Sequence, residues 1–355
     1  MIEIGSEFWL EKYKADSSNF VNNLGKDIKF LLSGRTAIDF VLKDIKCKRK
    51  INKAYIPSYC CESMLVPFVE NNIDIEFYDV NYKDNINYNI NLDNSCDIFL
   101  GVSYFGYTDS NMDKYIEELK NRKNIIVLED ITHRLFSKKN FCNLSDYLIA
   151  SIRKWGAFIS GGIAISKNGE FDRSLKTIEA NNDMIRIKNE AMTEKEKYIL
   201  ENKSIDKTIF LNKYEYFNKF LQKNYKLYDM DKTSIENFKR FPIDDVIEKR
   251  IKNATIIENE LIGIDGIKIM FKLKDGDCPL FVPILISDYN KFKKLKEILK
   301  EEKIYLPSHW NKSNIIPEKL SNIYNKEISL VCDQRYNENE VKKYILMLKN
   351  VWREI

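Results

Sequence analysis

Residues 124–154, NIIVLEDITHRLFSKKNFCNLSDYLIASIRK, contain two short apolar runs, IIVL and YLIASI, each followed at once by polar and charged residues. Runs of four to six apolar residues bounded by turn signals read as fully buried strands, which belong in parallel sheets covered on both faces. The same rhythm runs upstream, with AYIPS at 54–58, IEFYDV at 75–80 and DIFLGVSYF at 97–105. Between these runs lie stretches of helical periodicity: about 35–47, a segment through Met64, Phe68 and Val69, and about Met112 to Lys120. Strands alternating with helices of this length predict βαβ units and a mostly parallel sheet. Ligands on such sheets sit beyond the carboxyl ends of the strands, so the residues following each run are where chemistry is expected.

After Lys154 the segment AFISGGIAIS reads as two alternating stretches around Ser160-Gly161-Gly162, a β-hairpin. From about 171 to 228 the chain is charged and rich in Tyr and Phe, and there is no glycine from 170 to 262, as expected of a long helical connector. From about 240 a smaller α/β unit begins. It has a helix carrying Arg250 and Asn253, the runs GIKIMF (266–271) and PLFVPILI (279–286), a Lys-rich helix at 290–302 and a closing helix at 338–352. The fold expected is α/β: a large domain, 1–230, with a sheet of seven mostly parallel strands flanked by helices, and a smaller C-terminal α/β domain, 231–355.

Composition narrows the function. The chain has 355 residues, 57 Lys+Arg against 53 Asp+Glu for a net charge of +4, and 44% apolar residues, enough for a sizeable core. No long basic block is present, and the cluster Lys46, Lys48, Arg49, Lys50 falls at a helix end, so a nucleic-acid partner is not expected. No window approaches the ~20 apolar residues that span a bilayer, and MIEIGSEFWLEKYK lacks the pattern of a signal peptide. Seven cysteines without CxxC spacing point to reduced thiols and a cytoplasmic protein, and only two histidines argue against a metal centre.

Four segments place polar groups after a strand or at a helix start. Ser33-Gly34-Arg35-Thr36 can cradle an anion with free helix N–H groups and the Thr36 hydroxyl, or simply cap the helix. Glu129-Asp130-Ile131-Thr132-His133 ends a buried strand in two acids, either to cap the next turn or to face a cationic ring nitrogen. Ser151-Ile152-Arg153-Lys154 offers a lysine that is either a surface charge or a desolvated, nucleophilic amine. Ser308-His309-Trp310 supplies a histidine for a pocket or for a helix end. Jointly the first three match what pyridoxal phosphate requires: an anion cradle, an acid for the pyridine nitrogen, and, 24 positions after that acid, a lysine for the aldehyde.

The chain also resembles the DegT/DnrJ/StrS-type sugar aminotransferases, a branch of fold-type I pyridoxal phosphate enzymes. The stretches carrying the resemblance are EIGSEFW, SGRTAIDFVL (33–42), YIPSYCCES (55–63), GVSYFGYTDSNMD (101–113), VLEDITH (127–133), SIRKW…SGG (151–162), Arg250…Asn253, LPSHW (306–310) and CDQRYNENEV (332–341). The resemblance implies that Lys154 condenses with the cofactor and shuttles a proton, that Asp130 pairs with the pyridine nitrogen, and that His133, where many relatives have Gln, meets the 3-hydroxyl oxygen or the ring. Gly34, Arg35, Thr36 and Ser151 would hold the phosphate. Where relatives carry a stacking aromatic this chain has Cys61, with Tyr59 two positions earlier. His309, Trp310 and Tyr104 are the expected substrate contacts. The implied activity is transfer of an amino group from glutamate to a nucleotide-linked keto sugar, in surface polysaccharide or secondary-metabolite biosynthesis, by a homodimer with shared active sites. The alternatives are a fold-type I lyase, aldolase or desulfurase, and a non-catalytic binding protein on the same scaffold.

Overall fold

The computed structural model describes residues 3–15, 20–108, 110–201 and 206–355. Positions 202–205 of the expected connector and Asp109 of the 101–113 stretch lie outside the described residues. The chain begins with a short strand, β1 (Ile4–Gly5), then β2 (Asp27–Leu31), α1 (Gly34–Lys48), β3 (Lys53–Pro57), α2 (Glu62–Glu70), β4 (Asp74–Tyr82) and β5 (Ile86–Asn89). There follow β6 (Ile98–Val102), α3 (Ser110–Arg122), β7 (Ile126–Asp130), β8 (Tyr147–Ser151) and β9 (Gly162–Ser166). These build an eight-stranded sheet in the order β2-β9-β8-β7-β6-β3-β4-β5. The five central strands β8, β7, β6, β3 and β4 run parallel, as the buried apolar runs require. The eighth strand, one more than expected, is β5, which folds back antiparallel on β4 at the sheet edge.

The expected hairpin around Ser160–Gly162 does not form. The strand β9 pairs antiparallel with both β8 and β2, and residues 157–160 form no strand. Three of their N–H groups go to side chains instead: Ala157 N–H donates to the Tyr13 hydroxyl (2.8 Å), and Ile159 and Ser160 donate to Ser234 Oγ (3.0 and 3.3 Å), while Phe158 N–H donates to the Gly156 carbonyl (2.9 Å). Donors satisfied in this way have no need of a ladder.

The connector comprises α4 (Asn182–Leu200) and α5 (Lys207–Lys223), packed on each other, followed by α6 (Lys232–Lys239). Beyond it come α7 (Ile243–Leu261), β10 (Lys268–Ile269), β11 (Val282–Leu285), α8 (Tyr289–Glu301), β12 (Ile304–Tyr305), β13 (Glu327–Leu330) and α9 (Glu338–Glu354). An antiparallel sheet β10-β11-β13 lies here, and β1 pairs parallel with β12. One apolar core gathers the central sheet with α1, α2 and α3. A second is built from residues 254–352 together with Ile4 and Trp9. Arg250 and Asn253 tie the parts together. Arg250 donates to the Pro279 and Leu280 carbonyls and lies 4.6 Å from the Trp155 ring, while Asn253 Nδ2 donates to three carbonyls between Cys332 and Tyr336.

Candidate active site

The parallel neighbours β7 and β8 end on the same edge of the sheet, with Asp130 in register with Ile149. Successive strand residues face opposite sides, so Glu129 and Asp130 part company. Glu129 turns into the protein, where it pairs with Arg134 and accepts from the Cys142 N–H (2.9 Å) and the Ser145 hydroxyl (2.7 Å). Arg134 reaches Asp113 as well (3.0 Å), so this buried cluster is a structural ion network. Asp130 instead lines a cavity of about 350 Å³. Burial pushes its carboxyl up, and the hydrogen bonds of Thr132 and the charge of Lys154 pull it back.

Past β8 the chain makes a single 3-10 turn at 152–154, closed by the Trp155 N–H on the Ile152 carbonyl. Thr132 anchors it from the neighbouring strand end. Its hydroxyl accepts from the Ser151 N–H (3.0 Å), and its carbonyl accepts from Trp155 Nε1 (2.7 Å). Lys154 is thereby aimed into the cavity that Asp130 lines. Its Nζ stands 3.2 Å from His133 Nε2 and 5.5 Å from the centroid of the Trp310 ring. His133 Nδ1 accepts from the Phe105 N–H (3.1 Å), and burial, reinforced by Lys154 and His309, holds the imidazole well below its usual range.

The start of α1 meets Ser151 across the first residue of β9. A Cβ on Gly162 would lie 2.0 Å from the Ser33 carbonyl oxygen and one on Gly34 would lie 3.2 Å from Ser151 Cβ, so side chains are excluded where these backbones converge. Ser33, Gly34, Arg35, Ser151 and Arg153 line this end of the cavity, and Arg153 Nε is buried without a hydrogen-bond partner. Thr36 is not at this wall. Its hydroxyl donates to the Tyr225 carbonyl (2.8 Å) and its N–H to Ser33 Oγ (3.2 Å), so it holds the helix start rather than facing the cavity.

Cys61 and Trp310 line the cavity, whereas Tyr59 and Tyr104 do not. Both tyrosines are buried behind the wall. Tyr104 donates to the Tyr59 carbonyl (2.6 Å), and the Tyr59 ring packs 5.2 Å from that of Trp310, so they prop the indole instead of touching a ligand. A second cavity of about 640 Å³ shares Ser151, Arg153 and Lys154 with the first and contains His309. Its far wall is the N-terminal segment Gly5–Phe8. That segment is held by Lys188 on Glu7 (2.8 Å), by Lys195 on Ser6 Oγ (3.3 Å) and by Arg335 on the Ser6 and Glu7 carbonyls (3.4 and 3.3 Å). Glu327 and Ser329, which hydrogen-bond His309 behind the larger cavity, were not singled out from the sequence. The available signal was an acid and a serine two positions apart at the start of the short run EISL.

No family profile and no curated protein sequence matches the chain. Solved structures do. PseC of Helicobacter pylori, an aminotransferase involved in the biosynthesis of pseudoaminic acid, superposes with a TM-score of 0.68 at 14% identity, over 100% of both chains. The aminotransferase TlmJ of Streptoalloteichus hindustanus gives 0.68 at 11% identity, over 100% of this chain and 99% of its own. Spr1654 of Streptococcus pneumoniae, solved in PLP, PMP and apo forms, gives 0.63 in its PMP form at 13% identity, over 98% and 92%. From end to end, the chain has the fold of these proteins: the mostly parallel α/β sheet expected from its strand and helix order, and the scaffold that its resemblance implied.

Proposed function

We propose that this protein is a pyridoxal phosphate-dependent aminotransferase that moves an amino group from glutamate to a nucleotide-linked keto sugar. The single observation carrying this is that the Lys154 amine and the Asp130 carboxylate line one cavity whose far end is the start of α1. Its volume lies in the ~300–1,000 Å³ range of small-molecule sites. The residues present fit the cofactor. The N-terminus of α1 with Arg35, Ser151 and the unpartnered Arg153 Nε suits the phosphate, Asp130 suits the ring nitrogen, and Trp310 and Cys61 suit the ring faces.

When bound, the cofactor supplies the aldehyde and the electron-withdrawing ring on which amino groups are exchanged. Asp130 would face the ring nitrogen with its carboxylate, in a buried setting where a negative charge acts strongly. Lys154 provides the amine that carries a proton at Nζ, and His133 holds that amine in place. The larger cavity, reached through Lys154, is the space for donor and acceptor, with the cationic Arg153 and Arg335 suited to their carboxylate or phosphate groups.

We further propose a homodimer. Two helices that line the smaller cavity, α2 and α5, carry exposed Val69 and Leu211 and Tyr216 respectively, apolar surface that a second copy would cover beside the site. A cytoplasmic setting is supported by seven cysteines that are all free thiols; no helix among the described residues is long and apolar enough to cross a membrane. Division into domains 1–230 and 231–355 is supported by the second core, although Ile4 and Trp9 cross to join it.

The test is spectroscopic. Protein mixed with pyridoxal phosphate is expected to develop a visible band that borohydride fixes at Lys154, that Lys154→Ala lacks, and that glutamate bleaches. Absence of the band in wild type would sink the proposal. Cys61 lines the same cavity, so release of sulfide from cysteine without a keto acceptor would favour a desulfurase instead.

A further inference from the structure

Three side chains outside the cofactor-sized cavity form a continuous hydrogen-bonded chain. Glu327 and Ser329 lie two residues apart on β13 and so face the same side. The Ser329 hydroxyl contacts Glu327 Oε1 (2.5 Å) and His309 Nδ1 (2.7 Å), while the second carboxyl oxygen accepts from the backbone N–H of His309 (2.5 Å). The Ser329 N–H donates to the Pro307 carbonyl (2.8 Å), which fixes the segment bearing His309 against the strand. All three side chains are buried, yet His309 lines the larger cavity beside Lys154. Nδ1 is engaged, and Nε2 makes no hydrogen bond among the described residues.

We propose that Glu327, Ser329 and His309 are a proton relay that delivers and recovers one proton at His309 Nε2 in the larger cavity; this rests on the reading of Lys154 as the amine of an aminotransferase site. The hydrogen-bond directions permit two neutral-ring arrangements. In one, Glu327 is protonated and donates to Ser329, Ser329 donates to Nδ1, and Nε2 carries hydrogen. In the other, Glu327 is ionised and accepts from Ser329, Ser329 accepts from Nδ1–H, and Nε2 presents a lone pair. Passing from the first to the second breaks Nε2–H as the proton leaves to an acceptor in the cavity. The Ser329 proton moves to Nδ1 and the Glu327 proton moves to Ser329 Oγ, so three protons shift by one place and nothing else changes.

The surroundings favour this over a simple histidine base. Burial, followed by the charges of Lys154 and Lys296, pushes the His309 imidazole well below its usual range, which disfavours an imidazolium there. Burial lifts the Glu327 carboxyl to about 8, against the pull of Ser329, the His309 N–H and Lys296, so Glu327 can store the proton near neutrality. The charged and titratable groups facing the chain are Lys154 and His133 from the strand-end turns, Lys296 from α8, and Tyr59. Amino transfer to a ketone must release and take up protons around the reacting carbon, and Lys154 alone would have to carry all of them.

Two histidines in the chain make the test direct. In ¹⁵N-imidazole spectra of the ligand-free protein, His309 is expected to change from the Nε2–H to the Nδ1–H form near pH 8, with His133 unchanged. Glu327→Gln and Ser329→Ala should each abolish that change between pH 6 and 10, and Ser329→Thr should restore it. A His309 that keeps one tautomer throughout in wild type, or that switches equally in folded Glu327→Gln, overturns the relay. If Glu327→Gln does not fold, Ser329→Ala decides. With loaded enzyme, the rate profile of glutamate half-transfer should lose its inflection near pH 8 in Ser329→Ala. The spectra need neither cofactor nor substrate, so the relay can fail while the Lys154 band stands, and the band can fail while the relay stands.

Discussion

His133 Nε2 stands 3.2 Å from Lys154 Nζ while the Phe105 N–H donates to the other ring nitrogen. A neutral imidazole that accepts at Nδ1 must carry its hydrogen at Nε2. The Nε2 hydrogen therefore faces the Lys154 amine, which can accept it only when it carries a lone pair. His133 is kept neutral by burial first and by the positive charge of Lys154 second. The ring is thus a fixed neighbour of the amine in the cavity that Asp130 also lines.

Replacing His133 should disturb the timing of the amine more than the fold around it. His133→Ala is expected to slow uptake of pyridoxal phosphate at Lys154 by about tenfold, the scale of one lost hydrogen bond. His133→Gln, whose amide can donate from a similar position, should recover most of that rate. Stopped-flow absorbance gives both numbers.

The helix start and the turn after β8 supply two residues with different tasks. Thr36→Val removes a hydroxyl engaged with the Tyr225 carbonyl, so it should cost about 1 kcal/mol of stability and leave cofactor affinity unchanged. Arg153→Met should do the reverse, weakening pyridoxal phosphate binding at least tenfold with little effect on the melting temperature. Thermal denaturation and equilibrium titration read the two effects separately.

Trp310 and Cys61 both line the cavity, and among the described residues Trp310 is its one aromatic side chain of indole type. Trp310→Ala should weaken cofactor binding by about 1 kcal/mol, the scale of one aromatic contact, while Trp310→Phe keeps most of it. Trp310 lies near Lys154, so cofactor binding should quench indole fluorescence in wild type and quench it less in Trp310→Phe.

Stability should depend on pH from both sides. His133 and His309 have depressed values in the fold, so the unfolded chain binds more protons as pH falls below about 6.5 and stability drops with it. Glu327 has the opposite sign. Its folded value is raised to about 8 from 4.5, so its contribution is fully present below the unfolded value and is lost as pH rises through 8. Glu327→Gln should therefore raise the melting temperature relative to wild type more at pH 9 than at pH 5. Calorimetry across that range checks both limbs.

Much of this was legible in the chain itself. Buried strands announce themselves as apolar runs, and parallel topology then brings residues 24 positions apart, Asp130 and Lys154, to one cavity. What could not be read locally was decided by partners distant in sequence. The 157–160 segment alternates like a strand but gives its N–H groups to Tyr13, Ser234 and the nearby Gly156 carbonyl. Thr36 looks like an anion ligand until Tyr225 takes its hydroxyl, and Tyr59 and Tyr104 look like site residues until Trp310 covers them. Glu327 was not singled out in the sequence, and nothing local connected it with His309.

The pairing of β1 with β12 joins Ile4 to Ile304, so the segment that walls the larger cavity meets its partner strand only after 300 further residues have been made. At ~5–20 residues per second that is roughly 15 to 60 seconds on the ribosome. The central sheet can assemble first, but the larger cavity is a late product of biosynthesis, closed when residues 4–8 are captured by a strand made some 300 residues after them.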